Sequence, residues 1–472
     1  MRVPTLVAAV ALMASAGGAA RGQEPTRPNL VLLLADDLGW TDLGAYGSRF
    51  YETPHIDRLA AEGMRFTAAY ANPNCAPTRA ALMTGRYGPR TGVYTVGSGA
   101  RGQERHRRLI PAPNETELAL EEVTFAELLE QAGYATALMG KWHLGTGDHD
   151  PERQGFDVNV AGNQTGSPRG GYFSPYDNPQ LPDGPEGEHL TDRLSSEAAR
   201  FIDKHAGEPF LLYLPYYSVH TPIEAKPKLV SKYDSKPPAG KHWHAAYAAM
   251  VETLDDGVGR VLDALDRNGL AERTVVIFSS DNGGVGGYAD AGVDNRIEVT
   301  HNAPLRGGKG MLYEGGIRVP LIVRYPSVVA AGSTSDLPVS SVDLFSTILD
   351  LAGVEPPQDR PIDGVSFRPA LAGREGTSAR PPLYWHFPGY LEARAEKGAW
   401  RTTPAGAIRG GDWKLIEFFE TGEIELYNLI QDVGERNDLA RERPEKAAEL
   451  RRELAEWRDR LEAPMPQRKD VE

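Results

Sequence analysis

Four short apolar runs in this chain are never broken by alternating polar residues, and each stops on side chains capable of chemistry. "NLVLLLADD" has six apolar residues from Leu30 to Ala35, then Asp36 and Asp37. "TVVIFSSDN" passes Val275 to Phe278 and arrives at Asp281 and Asn282. "FLLYLPYYSVH" starts at Phe210 and reaches His220, and "YATALMGKWH" leads through Leu138 and Met139 to Lys141 and His143. A run without alternation has no face for solvent, so it suits a strand covered on both sides, as in a parallel sheet. Helical patterns lie between the runs: "TFAELLEQAG" from Thr124, "LTDRLSSEAARFIDKHAG" from Leu190 and "AAYAAMVETLDDGVGRVLDALDRNG" from Ala245. Each closes at a glycine, the usual helix stop. This alternation predicts an α/β domain whose ligand site lies at the carboxyl ends of its strands. Taken singly, any of the terminal polar residues reads as a turn or cap. Together they form a site.

The rest of the chain is less regular. Residues 95–120 and 145–190 are rich in Gly, Pro and charge, and read as long surface loops around that edge. Beyond about Gly376 the character changes: "GAIRGGDWKLIEF" and "GEIELYNLI" read as antiparallel strands, and "PEKAAELRRELAEWRDRLEA" from Pro444 as a charged amphipathic helix. A chain of 472 residues is long for one core. The division expected is a signal peptide over 1–22, a catalytic domain over 23–375 and a C-terminal subdomain over 376–472.

The opening "MRVPTLVAAVALMASAGGAARGQ" has one arginine, an apolar stretch and then small residues, the layout of a secretory signal. No cysteine follows it to carry a lipid anchor, and no later segment is apolar over eighteen residues. The expectation is an exported bacterial protein, periplasmic or secreted, free of the membrane once the signal is cleaved. Cys75 is the single cysteine, so no internal disulfide exists. The sequons at Asn114 and Asn163 read as chance in that setting. The formal charge of −14, from 51 basic and 65 acidic residues, argues against nucleic acid as a partner.

Asp36, Asp37 and Asp281 would be crowded together if their strands are neighbours. Three carboxylates that close cannot all ionise without a counter-ion. A divalent cation resolves the conflict, and three carboxylates with the amide oxygen of Asn282 suit a hard ion such as Ca²⁺ or Mg²⁺. The bland alternative is that Asp36 and Asp37 cap a helix; the addition of Asp281 and Asn282 weighs against it. Cys75 sits in "NPNCAPTRAALMTGR", where Pro77 is expected as the first residue of a short helix closed by Gly85. That places a sulfur just ahead of a helix start that favours anions, with the planar fork of Arg79 in the first turn. An inert buried thiol is the commoner fate of a lone cysteine. Polar neighbours Asn72, Asn74, Thr78 and Arg79 argue otherwise here.

"NCAPTRAALMTGR" resembles the signature of the type I, formylglycine-dependent sulfatases, Cys-x-Pro-(Ser/Thr)-Arg followed by Leu-x-Thr-Gly-Arg. "GKWHLG" is similar to that family's second signature, and "RPNLVLLLADDLGWTDLGAYG" and "PLRGGKGMLYEGGIRVP" resemble its opening and its later lysine segment. The likeness runs from about Arg27 to the C-terminal helix. It implies an alkaline-phosphatase-like α/β fold, with a large mixed, mostly parallel sheet flanked by helices and a smaller C-terminal subdomain. It implies that Cys75 is oxidised to Cα-formylglycine by a formylglycine-generating enzyme. One Ca²⁺ would be held by Asp36, Asp37, Asp281 and Asn282, with an oxygen of residue 75 completing the sphere. Arg79 would hold the aldehyde hydrate, Lys141 and Lys309 would grip sulfate oxygens, His143 would hydrogen-bond the hydrate, and His220 would lie beside the leaving ester oxygen. One hydroxyl of the hydrate would attack sulfur to give a covalent sulfated intermediate, which the second hydroxyl then releases. Thr78, where serine is frequent, is an accepted variant, and His55 in "TPHIDRLA", where asparagine is usual, reads as a surface turn.

A sulfate monoester, most readily of a saccharide, is the substrate class implied. Arg306 and the basic loop "RHRRL" from Arg105 are candidates for further substrate contacts, the loop reading first as solvated surface. His242, Trp243, His244, Tyr288 and His301 are candidates for a sugar-facing wall. Two alternatives stand beside this reading: a phosphomonoester or phosphonate-ester hydrolase built on the same Cys-x-Pro-x-Arg arrangement, and a non-enzymatic sulfoglycan binder with Cys75 left as a thiol.

Overall fold

The computed structural model describes residues 27–295, 297–374 and 380–469. The expected signal peptide and the expected boundary at 375/376 lie outside the described residues. In chain order the first strands are β1 (Asn29–Ala35), β2 (Met64–Tyr70), β3 (Leu109–Ile110), β4 (Ala135–Met139), β5 (Val158–Val160), β6 (Phe210–Pro215), β7 (Thr274–Ser280), β8 (Arg318–Arg324), β9 (Ser333–Ser335) and β10 (Val339–Ser340). Nine of these, all but β3, form one sheet in the order β10-β2-β8-β7-β1-β6-β4-β5, with β9 added on β2. All its pairings are parallel except those of β8, which runs antiparallel to both β2 and β7.

The four apolar runs are the four central, adjacent strands β7, β1, β6 and β4. Alternate residues of β1 enter two different cores. Val31, Leu33 and Ala35 pack with the helices Pro54–Glu62, Leu190–Lys204 and Ala245–Arg267. Leu30, Leu32 and Leu34 pack with the helices Cys75–Thr84, Phe125–Gln131 and Ser341–Ala352 on the other face. Burial on both faces is why the runs lack polar alternation. His55, expected in a surface turn, lies instead in the first turn of Pro54–Glu62; its backbone N–H donates to Asp255 at 3.1 Å.

The C-terminal part contributes β11 (Leu383–Phe387), β12 (Leu391–Arg394), β13 (Ala399–Thr402), β14 (Ala405–Gly410), β15 (Trp413–Phe418) and β16 (Ile424–Asn428). An antiparallel sheet of order β11-β14-β15-β16 carries the helix Pro444–Arg460 on one side, where Leu450, Leu454 and Trp457 meet Ile408, Leu415 and Leu426. The strands β12 and β13 form a separate hairpin.

A buried ion cluster joins the two parts. Lys414 on β15 reaches Glu314 at 3.0 Å and Glu435 at 2.8 Å, and all three side chains are fully buried. Against burial, which raises it, Lys414 and then Arg318 hold the Glu314 carboxyl low, whereas burial pushes Glu435 up. One lysine between two buried carboxylates is worth little beside an apolar trio, but removing it alone strands their charge. Lys414→Met is therefore expected to cost about 3–5 kcal/mol, read as a lowered midpoint in guanidinium unfolding. An unchanged midpoint would refute the cluster's role.

Candidate active site

Backbone hydrogen bonds continue past the ends of the central strands and aim the polar residues at one another. Asp281 N donates to Ala35 O at 3.1 Å, Asp36 N to Ser218 O at 2.9 Å and Lys141 N to Pro215 O at 2.7 Å. Gly140, at φ +130°, permits that last contact, because a Cβ there would stand 2.0 Å from Pro215 O. Asp37 and His143 adopt left-handed backbone conformations, φ 64° and 62°, which non-glycine residues hold only when their surroundings enforce it.

The helix carrying the cysteine spans Cys75–Thr84, with Asn74 as N-cap. The expectation of a start at Pro77 is corrected: Cys75 is already helical and Pro77 occupies the third position. The first turn has no intrahelical acceptors for its N–H groups, so proline costs nothing there. Gly85 closes the helix as expected, at φ 67°.

Cys75 is buried, and its Sγ lies 3.4 Å from Asp36 Oδ1 and 3.3 Å from Lys309 Nζ. Lys141 Nζ donates to Asp36 Oδ2 at 2.6 Å, and Lys309 Nζ pairs with Asp37 Oδ1. Arg79 is wholly buried; its Nε and Nη2 donate to Asp281 Oδ2 at 3.1 and 2.7 Å, and its Nη1 to Lys141 O. Asp37 N donates to Asp281 Oδ1 at 3.3 Å, and Asn282 Nδ2 to Asp37 Oδ1 at 2.8 Å. His220 Nε2 stands 3.7 Å from Asp37 Oδ2, while its Nδ1 meets Thr221 O at 2.6 Å. His143 is buried against Gly166, and its Nδ1 has no partner.

Crowding shows in the titration of these groups. Burial and then Asp281 push Asp36 up to about 7. Against burial, Lys309 and then His220 hold Asp37 low. Burial, followed by Asp281, lifts the Cys75 thiol to about 12. Burial and then Lys309 depress His220 to about 3, and burial with Lys141 drives His143 well below its ordinary range. Lys309 is raised: burial lowers it, and Asp37 together with Cys75, Asp36 and Asp281 outweighs that cost.

The oxygen donors Asp36, Asp37 and Asn282 fit a hard divalent cation. Asp36, Asp37, Cys75 and His220 offer ligand atoms all within 4.8 Å of one another, the one such group among the described residues. Asn282 Oδ1 is buried beside Asp37 with no hydrogen-bond partner, the orphaned acceptor a cation would satisfy. Asp281 borders the group but spends Oδ2 on Arg79.

The other candidates divide. Arg306 lies over the Tyr313 ring at 4.0 Å and donates to Tyr427 Oη and Glu435 O, so its hydrogen bonds go to the C-terminal part. His301 Nε2 meets Lys241 Nζ at 3.0 Å and Asp290 at 3.2 Å. His242 is buried and bonds His301 O at 2.9 Å, His244 caps the helix Ala245–Arg267, and Tyr288 is buried with its hydroxyl on Lys309 O. Trp243, 58% exposed, is free to face solvent or sugar. Two positioning residues escaped the sequence reading. Asp42 accepts from Tyr247 Oη at 2.6 Å, Thr300 Oγ1 at 2.7 Å and Gly39 N at 3.0 Å. Asn302 Nδ2 donates to the carbonyls of Gly284, Gly286 and Gly307, and Lys309 N bonds Gly284 O, so Asn302 braces the loop that presents Lys309. A third acid in "DDLGWTD" and a lone asparagine before a glycine-rich stretch were the available signals.

Comparison with known proteins identifies the family. The sulfatase family profile matches residues 28–354, and that of the N-sulphoglucosamine sulphohydrolase C-terminal region matches 308–462. A sulfatase of Formosa agariphila is 36% identical over 93% of this chain and 90% of its own length. The N-acetylgalactosamine-6-sulfatase of Canis lupus familiaris is 38% identical over 79% of this chain and 71% of its own. The crystal structure of Ps i-CgsB in complex with k-i-k-neocarrahexaose is 30% identical, with TM-score 0.75 over 92% of this chain and 93% of that one. A profile covering most of the chain, on a sheet that delivers its polar residues to one edge, places this protein: it belongs to the sulfatase family and is an enzyme of that family with alkaline-phosphatase-like architecture.

Proposed function

We propose that this enzyme hydrolyses sulfate monoesters of carbohydrates, with residue 75 as a formylglycine nucleophile beside a bound Ca²⁺. The observation that carries the reading is the meeting of Asp36, Asp37 and Asn282 with Cys75 at a helix start, inside a ring of Lys141, Lys309 and Arg79. The saccharide class is supported by the sugar named for the canine relative and by the oligosaccharide bound in Ps i-CgsB. Export rests on the signal-like opening; among the described residues no helix is long and apolar enough to cross a membrane.

Asp36, Asp37, Asp281 and Asn282 would hold the cation, with residue 75 beside them. Bound there, the ion would supply fixed positive charge against the sulfate, and the hydrated aldehyde would supply a hydroxyl nucleophile with a second oxygen to release product. The side chains do the rest. Lys309, already 3.3 Å from the residue-75 side chain, neutralises a sulfate oxygen during in-line attack, and Lys141 does so from the loop after β4. Arg79 fixes Asp281 and the first turn of the helix. His220, its Nδ1 on Thr221 O and its Nε2 3.7 Å from Asp37, would lie beside the departing ester oxygen and protonate it as the imidazolium, a form that the negative charge of bound sulfate ester favours over the neutral ring of the empty site. His143, whose Nδ1 lacks any partner, is free to take the proton of the hydrate. The modification has a chemical reason: a simple alkoxide or thiolate adduct with sulfate has no internal means of release.

Mass spectrometry of the peptide spanning Cys75, from protein co-expressed with a formylglycine-generating enzyme, is expected to show formylglycine, with aryl sulfate turned over far faster than aryl phosphate. An active preparation carrying only thiol at position 75 would end the proposal, and preferred phosphate turnover would favour a phosphoester hydrolase. Lys309→Ala should lower kcat by about 10²–10³-fold, the usual loss for one aimed charge. Exhaustive chelation should abolish turnover and lower the melting midpoint, with both restored by Ca²⁺. Activity unaffected by chelation would exclude the ion.

A further inference from the structure

His220 ends a turn that is fastened on two sides. On one side Asp36 N donates to Ser218 O at 2.9 Å and Val219 N to Asp36 O at 2.7 Å, which ties the turn to the end of β1. On the other side stands Tyr172. It is wholly buried, and its hydroxyl donates to Tyr217 O at 2.6 Å and reaches His220 O at 2.8 Å. Tyr217 O has a second donor in His220 N at 3.0 Å, so loss of the hydroxyl falls chiefly on His220 O. Tyr172 comes from residues 145–190, expected as surface loop, yet Tyr172, Tyr176 and Leu181 are core residues. Its own place is closely held. Tyr172 N donates to Glu224 Oε2 at 2.8 Å, Tyr172 O accepts from Leu190 N at 2.7 Å, and the ring stacks on His189 with 5.3 Å between centroids. Gly171, at φ +82°, permits the approach to Glu224, because a Cβ there would stand 2.4 Å from Oε2.

The peptide that carries His220 O leads directly to Thr221, whose carbonyl receives His220 Nδ1 at 2.6 Å. Its orientation therefore sets both the root of the imidazole and the acceptor that turns the ring. We propose that Tyr172 is the positioning residue of the general acid, its hydroxyl holding the His220–Thr221 peptide so that Nε2 faces the ester oxygen that leaves. This rests on the sulfatase reading and deepens it, by tying the acid step to a segment outside the four strands that deliver the site. In that step the bond from sulfur to the ester oxygen breaks and its electron pair stays on that oxygen. His220 Nε2 gives the oxygen a proton, while sulfur bonds to the hydroxyl of residue 75, whose own proton passes to His143. A proton donor works only within hydrogen-bond reach of its target, so a small turn of the peptide is enough to disable it.

Leaving-group dependence tests it, with kcat/KM measured for 4-nitrophenyl, phenyl and 4-methoxyphenyl sulfate. Assistance by an acid matters most when the departing oxygen is basic. Tyr172→Phe should lower kcat/KM by about tenfold for phenyl and 4-methoxyphenyl sulfate, but by about twofold or less for 4-nitrophenyl sulfate, whose leaving group needs little protonation. His220→Ala should show the same bias more strongly. Adding Tyr172→Phe to His220→Ala should cost nothing further, because the group through which Tyr172 acts is gone. Tyr176→Phe removes from the same segment a buried hydroxyl that reaches Glu188 at 2.9 Å; it should leave the bias unchanged, which controls for loosened packing. Glu224→Gln, which weakens the hold on Tyr172 N while keeping the ring, should repeat the bias and serves if Tyr172→Phe fails to fold. Equal losses on all three esters, or an undiminished further loss in the His220→Ala background, overturns the inference. If His220→Ala itself shows no bias, the acid assignment fails and this inference with it. Absence of sulfate release by the unsubstituted enzyme would count against the sulfatase reading instead.

Discussion

Three buried carboxylates set at the ends of two neighbouring strands are the constraint around which this molecule is arranged. Asp36, Asp37 and Asp281 lie within one hydrogen-bonded register, and nothing in a buried sheet edge screens their repulsion. The chain answers with cations from elsewhere: Lys141 from the end of β4, Arg79 from the helix behind Cys75, Lys309 from the glycine-rich loop. These pairs are incomplete as a solution. Asp36 is still pushed up to about 7, and Asn282 Oδ1 and His143 Nδ1 stay without partners. A core selected for stability alone would not retain such groups, whereas a site awaiting a cation and an anionic substrate would.

Holding that much charge in place demands backbone that cannot relax. The sheet supplies it through four adjacent parallel strands covered on both faces, so the ends move only if the core moves. Where chain and function conflict, special residues intervene. Gly140 lets Lys141 approach β6, and Asn302 ties three glycine-loop carbonyls with one amide group. Both sit one contact away from the charged groups, so they act on geometry rather than on chemistry.

How much of this could be read from residues alone follows from the range of each interaction. The strands β1, β4, β6 and β7 were legible because burial on both faces leaves an uninterrupted apolar run, and their last residues named most of the site. The strands β14, β15 and β16 were legible from alternation and turns. By contrast, β2 carries Arg65 and Thr67 at half-buried positions and β8 begins and ends on arginine, so neither shows a clean period. The start of the cysteine helix was misplaced because proline marks the first turn without marking which residue of it. Arg79 reaching Asp281, 202 residues away, is a tertiary fact with no local signature.

The net charge of −14 looks contrary to an enzyme that captures anions, and the placement of charge removes the conflict. Much of the surface acid is paired where it stands, as in Glu52 with Lys232 and Lys236 or Asp203 with Arg267, and at more than a Debye length it is screened from the site. Within the pocket the balance is local, and each buried carboxylate is matched or exceeded by a cation. Under the proposed function, a divalent ion added to that group would leave Lys141 and Lys309 partly released from Asp36 and Asp37, and free to face an incoming sulfate, while Arg79 keeps Asp281 in place. On that reading the lysine–carboxylate pairs hold the binding capacity of the site in reserve: the same ammonium groups that hold Asp36 and Asp37 together would turn toward substrate once a cation takes over that task.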